Sequence, residues 1–170
     1  MTRICVCGLD EMPDLVERLR PGRMISLLAA RDQPPTPPQL RASDHLRVLV
    51  DDIDRPHGSL SEPALAHIQQ LISFLRASPP RASIVIHCLA GVSRSPAAAL
   101  VALALDAPGR ESEAAAVLRR AAPFVNPNRL IVQLADTALL RKGALVAALE
   151  SMGESDMSLD FSAFSLPRTL

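Results

Sequence analysis

One unit constrains this chain more than any other: an apolar run, a cysteine, a short loop, an arginine and an alanine-rich stretch, in that order, between Ser83 and Leu105. Ser83-Ile84-Val85-Ile86 is short, apolar and rich in β-branched side chains, which reads as a buried strand. It delivers His87 and Cys88 to the strand's end. Five loop residues follow, Leu89, Ala90, Gly91, Val92 and Ser93, and then Arg94, Ser95, Pro96 and a helical stretch over Ala97–Leu105. Backbone N–H groups of so short a loop can converge on one point, and with the positive end of the helix they make an anion cradle. Gly91 opens backbone conformations closed to other residues. Arg94 brings a planar fork that matches two phosphate oxygens at once, which a lysine does not. The same amides and guanidinium favour the thiolate, the nucleophilic form of Cys88. His87 is placed to orient the loop through hydrogen bonds, and the Ser95 hydroxyl to donate to the thiolate and later help it leave. An ordinary buried thiol would account for Cys88, but not for the company of Gly91, Arg94 and Ser95.

The run His87 to Arg94 resembles the His-Cys-x5-Arg signature of the cysteine-dependent protein tyrosine phosphatases. Cys-Leu-Ala-Gly-Val-Ser-Arg-Ser is nearest to their dual-specificity branch and to compact bacterial-type tyrosine phosphatases. The resemblance implies metal-independent hydrolysis of a phosphomonoester through a phospho-cysteine intermediate, with no cofactor. Leu89, Ala90, Gly91, Val92, Ser93 and Arg94 would bind the phosphate.

A leaving alkoxide or phenoxide needs a proton, which the family takes from an aspartate on a loop upstream of the cysteine. His45-Leu46-Arg47-Val48-Leu49-Val50 alternates like a half-buried strand and runs into Asp51-Asp52-Ile53-Asp54, which puts three carboxylates 34 to 37 positions before Cys88. Aligning Val48 to Asp52 with the corresponding strand end of the family favours Asp52 as the acid, then Asp54, then Asp51; the bland reading is a solvated acidic turn before Pro56. Asn126-Pro127-Asn128-Arg129 resembles the family's Pro-Asn stretch, which implies that Asn128 buttresses the phosphate loop. A helix N-cap is the alternative role, and the two are compatible.

Around this unit the elements alternate. Ile4-Cys5-Val6-Cys7 reads as a first buried strand with both thiols on one face, a core role rather than a metal site or redox pair. Pro13–Arg20 is helix-like and Pro21-Gly22 stops it; Met24–Leu28 is a second strand. Residues 33–43, with four prolines, form a surface loop expected to wall one side of the cleft. Glu62–Leu75 is an amphipathic helix ended by Pro79-Pro80. After the cysteine unit come helices over Glu111–Ala121 and Asn128–Arg141 and a short one over Ala144–Leu149. The pattern implies an α/β fold, a central, mostly parallel sheet flanked by helices, in the order of the compact phosphatase fold. Residues 1–150 read as the catalytic domain. Residues 151–170, rich in serine and acidic groups yet carrying Met157, Leu159, Phe161, Phe164 and Leu166, read as a tail that is docked or disordered.

Composition agrees with one compact domain: 170 residues, 48% hydrophobic, can bury a core. Eighteen basic residues balance 18 acidic ones, so nothing draws the chain to nucleic acid or an anionic membrane. Three cysteines make no even disulfide framework. A thiolate enzyme needs a reducing compartment, and no signal peptide or membrane-length apolar run is evident, so the cytoplasm is expected. The expected partner is a phosphorylated protein or a small phosphomonoester. The chain has no Tyr or Trp to clamp an aromatic ring, Phe74 and Phe124 look like core, and the loop carries no lysine for a highly anionic head group. A rhodanese-like sulfurtransferase also uses a cysteine loop but needs neither the aspartate nor the Arg-Ser closure. A phosphate-binding module without turnover and a regulatory role for the tail complete the alternatives.

Overall fold

The computed structural model describes residues 2–170. Five strands form one sheet: β1 (Arg3–Cys7), β2 (Arg23–Leu28), β3 (His45–Leu49), β4 (Ile84–His87) and β5 (Phe164–Pro167), in the order β3-β2-β4-β1-β5. β4 lies between β1 and β2 and is parallel to both, β3 is parallel to β2, and only β5 is antiparallel. The residues of β1 after Arg3 and all those of β4 are buried, as expected where a parallel sheet is covered on both faces. Ligands of such sheets bind beyond the carboxyl ends of the strands, and Cys88 follows β4 at the centre of that edge.

The six helices are α1 (Met12–Leu19), α2 (Leu65–Arg76), α3 (Arg94–Ala104), α4 (Glu111–Ala121), α5 (Arg129–Ala138) and α6 (Ala144–Ser151). One face of the sheet packs against α2 to α6, through side chains such as Ile4, Val6, Ile86, Leu71, Leu100 and Ile131. The other face packs Cys5, Cys7, Met24 and Val85 against Met12, Leu15 and Val16 of α1 and Leu40 of the proline-rich loop. Every residue of α3 is buried, which its run of alanines permits by letting neighbouring elements approach closely.

Several boundaries differ from the sequence expectation. α3 begins at Arg94 rather than Ala97, because Pro96 is compatible with a first helical turn. α2 begins at Leu65 rather than Glu62: Pro63 disfavours helical conformation in the residue before it. α5 stops at Ala138, short of Arg141, and Leu140 takes a left-handed conformation (φ 55°). The chain then turns directly into α6, whose first amides are claimed by Asp136: its carboxylate accepts from the N–H groups of Gly143 (2.7 Å) and Leu145 (2.8 Å). Arg141 closes the far end of α3, donating to the carbonyls of Ala104 and Leu105, both at 2.9 Å.

Residues 164–167 add an edge strand to β1, from Arg3↔Pro167 to Val6↔Phe164. Phe124 stacks near Phe161 (centroids 5.4 Å) and meets Phe164 edge-on (6.0 Å), so three of the chain's four phenylalanines join residues 161–164 to the loop before α5. The fourth, Phe74, lies under the Arg23 guanidinium at 4.8 Å.

Candidate active site

Cys88 is 1% exposed, and its Sγ accepts a hydrogen bond from Ser95 Oγ at 3.1 Å. The loop between them is held by its carbonyls. Leu89 C=O accepts from Leu9 N–H (2.9 Å), Val92 C=O from Asn126 N–H (2.8 Å) and Ser93 C=O from Asn128 N–H (3.2 Å). In a trans peptide the N–H of the next residue points opposite to the carbonyl. Outward carbonyls at Leu89, Val92 and Ser93 therefore turn the N–H groups of Ala90, Ser93 and Arg94 towards the inside of the loop. The N-terminus of α3 starts there too, so the arrangement suits an anion.

Gly91 is required on two counts. Its φ is +74°, and a β-carbon on it would lie 2.9 Å from Cys7 C and Gly8 N. The Gly8–Leu9 turn after β1, which no motif marks, is thus the support on which the loop rests. Glu11 holds that turn, accepting from Gly8 N–H (3.2 Å) with one oxygen and from Ala163 N–H (2.8 Å) with the other.

Arg94 is 6% exposed. Its NH1 donates to Val50 C=O (2.9 Å), which fixes the guanidinium to the end of β3. Its Nε, buried, has no hydrogen-bond partner among the described residues and lies 3.7 Å from Asp52 Oδ2. A buried donor without an acceptor is costly, and an anion in the loop is the acceptor this one fits.

The three aspartates separate clearly. Asp52, 38% exposed at its side chain, stands at the mouth of the loop. Its Oδ1 accepts from Ser93 Oγ (2.7 Å) and from Asn128 Nδ2 (3.0 Å). Asp51 is buried and turned away, accepting from Ser61 N–H (2.9 Å) and Arg31 (2.8 Å). The Ser61 amide first, then Arg31, hold its carboxyl below the usual range against the opposing effect of burial. Asp54 is mostly exposed on the rim, 3.9 Å from Arg55. The geometry thus brings Asp52, not Asp51 or Asp54, against the loop that carries the cysteine.

Asn128 caps α5 and also bonds to the loop and to Asp52. Its Oδ1 caps α5 by accepting from Ile131 N–H (3.0 Å), its Nδ2 ties Asp52 and Ile53 C=O (3.2 Å), and its own N–H holds Ser93. A cleft of about 380 Å³ opens beside these groups, lined by residues 52–55, His57, Ser93 and 126–129. The proline-rich loop does not line it, contrary to expectation. Gln33 and Arg47 pin that loop over β2 and β3 instead, Gln33 donating to Leu28 and Val48 carbonyls and Arg47 to Pro34.

His87 is fully buried, with Nδ1 3.4 Å from Cys88 O and Nε2 2.6 Å from Ser26 Oγ. Burial pushes it down to about 4, so it is neutral near pH 7. Cys5 and Cys7 pack on the α1 face of the sheet, whereas Cys88 belongs to the opposite core. Burial, and after it Glu11 and Cys88, push the Cys7 thiol far up, so it stays protonated and is a poor nucleophile.

No protein-family model and no curated protein matches the chain. Solved structures do. DUSP15 superposes with a TM-score of 0.60 over 89% of this chain and 91% of its own, at 16% identity. The Yvh1 phosphatase domain from Chaetomium thermophilum gives 0.60 over 84% and 93%, at 19% identity. PTPMT1, solved in complex with PI(5)P, gives 0.59 over 85% and 94%, at 15% identity. The chain has the fold of the dual-specificity phosphatases.

Proposed function

We propose that the protein is a phosphatase of the dual-specificity kind, hydrolysing phosphomonoesters through a phospho-cysteine intermediate. One observation carries the reading: Cys88 accepts from Ser95 at 3.1 Å inside a loop of inward amides, with Asp52 bound to that same loop through Ser93 at 2.7 Å. The phosphoryl group rests on the loop amides and the Arg94 fork. The Cys88 thiolate attacks phosphorus; as the S–P bond forms and the P–O bond breaks, Asp52 in its acid form gives its proton to the leaving oxygen. Water then attacks phosphorus and loses its proton to the Asp52 carboxylate. The P–S bond breaks, and Ser95 donates to the thiolate as it leaves. The loop amides gain most where charge builds on the equatorial oxygens. None of these steps calls on a metal ion.

A phosphorylated protein is the substrate we favour. The cleft is open at the surface and the loop interior carries no lysine. A small phosphate is the second reading, because Arg55, His57 and Arg129 line the cleft, and the similar PTPMT1 is described with a phosphoinositide. The cytoplasm, where thiols stay reduced, is the proposed location. Cys88→Ser should abolish turnover of an aryl phosphate while tungstate binding survives; a variant that keeps its rate overturns the reading. A persulfide on Cys88 of the purified protein would point to sulfur transfer instead. Phosphopeptides, nucleotides and inositol phosphates assayed side by side then decide the substrate class.

A further inference from the structure

Under the proline-rich loop, on the α1 side of the sheet, five polar side chains form a line that ends at the nucleophile's backbone. Arg47 NH2 donates to Thr36 Oγ1 at 3.1 Å; Thr36 Oγ1 lies 3.0 Å from His45 Nδ1; His45 Nε2 lies 2.7 Å from Ser26 Oγ. Ser26 Oγ lies 2.6 Å from His87 Nε2, and His87 Nδ1 lies 3.4 Å from Cys88 O. Ser26 and His87 are fully buried and His45 is 6% exposed. Two imidazoles and a hydroxyl at neighbouring buried positions of β2, β3 and β4 are expensive unless every one of them is satisfied.

Their protons can be placed by counting donors. Burial pushes His45 and His87 each down to about 4, so both rings are neutral near pH 7 and each has one N–H and one bare nitrogen. Arg47 has no acceptor, so Thr36 receives from it and has its own proton to give. Thr36 gives that proton to His45 Nδ1, which leaves the N–H of His45 on Nε2, facing Ser26. Ser26 accepts there and gives its single proton to His87 Nε2. The N–H of His87 is then on Nδ1, aimed at the Cys88 carbonyl. The reverse order sets the bare Nδ1 of His87 against a carbonyl oxygen, two acceptors face to face. Only one direction satisfies all five groups.

We propose that Ser26, Thr36, His45 and Arg47 are positioning residues for the nucleophile, a one-way relay that fixes His87 as its Nδ1–H tautomer and binds the Cys88 carbonyl. Drawing that carbonyl away from the loop turns the Leu89 N–H the opposite way, into the anion cradle. With His87, the residues come from three strands and the proline-rich loop, which gives that loop a role in a site it does not line.

The proposal rests on the phosphatase reading for its kinetic readout only, so the test has two arms. In ¹⁵N-labelled protein, with His57 and His67 identified by single replacements, long-range ¹H–¹⁵N spectra should show His87 as the Nδ1–H tautomer and His45 as the Nε2–H tautomer. Thr36→Val keeps the volume of a half-buried side chain and removes its hydroxyl; Thr36→Ser keeps the hydroxyl. The valine variant should mix the tautomers of both histidines and lower kcat for an aryl phosphate roughly fivefold, the worth of one neutral hydrogen bond, with KM unchanged. The serine variant should restore both. A shared tautomer for the two histidines, or a Thr36→Val protein with wild-type spectra and kcat, overturns the relay. If the wild type hydrolyses nothing, the phosphatase reading falls and the spectra still decide the relay.

Discussion

The two sides of Cys88, the proposed nucleophile, are built on different principles. On the β4 side, Cys88 is held by backbone and burial: outward carbonyls, a glycine pressed against the Gly8 turn, and a histidine with no exposed surface. On the side of Asp52, the proposed acid, the carboxylate is hydrogen-bonded only by side chains, Ser93 and Asn128, and the side chain is 38% exposed. A cradle must fit one shape, the phosphoryl group, and rigidity serves it. An acid must meet leaving groups of many shapes, so two exchangeable hydrogen bonds serve it better than a locked seat.

Arg94 spans the two sides, and its replacement has the largest expected effect. Lysine keeps the charge but offers no fork, so one group cannot both anchor on Val50 C=O and reach a phosphate as the guanidinium would in the proposed reaction. Arg94→Lys should lower kcat roughly a thousandfold, comparable to losing a preorganised oxyanion donor, with thermal unfolding little changed. A large fall in melting temperature would mean that Arg94 serves the fold first.

The buried side should show itself in acid. His45 and His87 have a value near 6.5 when unfolded and about 4 when folded, burial being the main cause for both. Below pH 6.5 the unfolded chain takes up protons that the folded protein refuses. Their contribution to stability is therefore complete above pH 6.5, falls as the pH drops towards 4, and is level below that. His87 alone would account for about 3 kcal/mol. Asp51, lowered in the fold from 3.8, acts in the same direction but only below that pH. Urea midpoints from pH 7.5 to 4 measure the window, and His45→Gln should leave only the His87 share of it. A flat wild-type profile would mean that the two rings take up protons as readily in the folded protein as in the unfolded chain.

How much of this could be read from the chain follows from how local each feature is. The cysteine loop is written in consecutive residues, His87 to Ser95, and its turn chemistry needs Gly91 where Gly91 stands. The place of Asp52 beside the loop was legible because β3 is a regular strand that carries its register to that position. Nothing local marks β5: four residues, Phe164–Pro167, become a strand only because β1 offers an unpaired edge. The relay was hidden for the same reason, since Ser26, Thr36, His45 and His87 meet only once β2, β3 and β4 are side by side. The proline-rich loop lies away from the cleft, which its composition does not reveal: four prolines mark a surface segment without saying which face of the sheet it covers.

On the acid side, Asp52→Asn should lower kcat roughly a hundredfold for an alkyl phosphate and little for a good aryl leaving group, the pattern of a lost general acid. Asp54→Asn, exposed on the rim, should leave both rates near wild type; an equal loss there would reassign the acid.

The smallest effect bears most directly on the contrast between the two sides. Ser93→Ala removes one bond to Asp52 and leaves the loop backbone in place. Asn128→Ala removes the other, and with it the cap on Ile131 N–H, so it should also cost about 1 kcal/mol of stability. If Asp52 is held by two exchangeable bonds, each single variant should lower kcat for an alkyl phosphate only a few-fold, because the remaining bond still places the carboxyl. The double variant should lose more than the product of the two, approaching Asp52→Asn. Coupling of that kind is what a double-mutant cycle measures between groups that share a partner. If the losses simply multiply, each bond acts alone and the acid is as rigidly seated as the nucleophile.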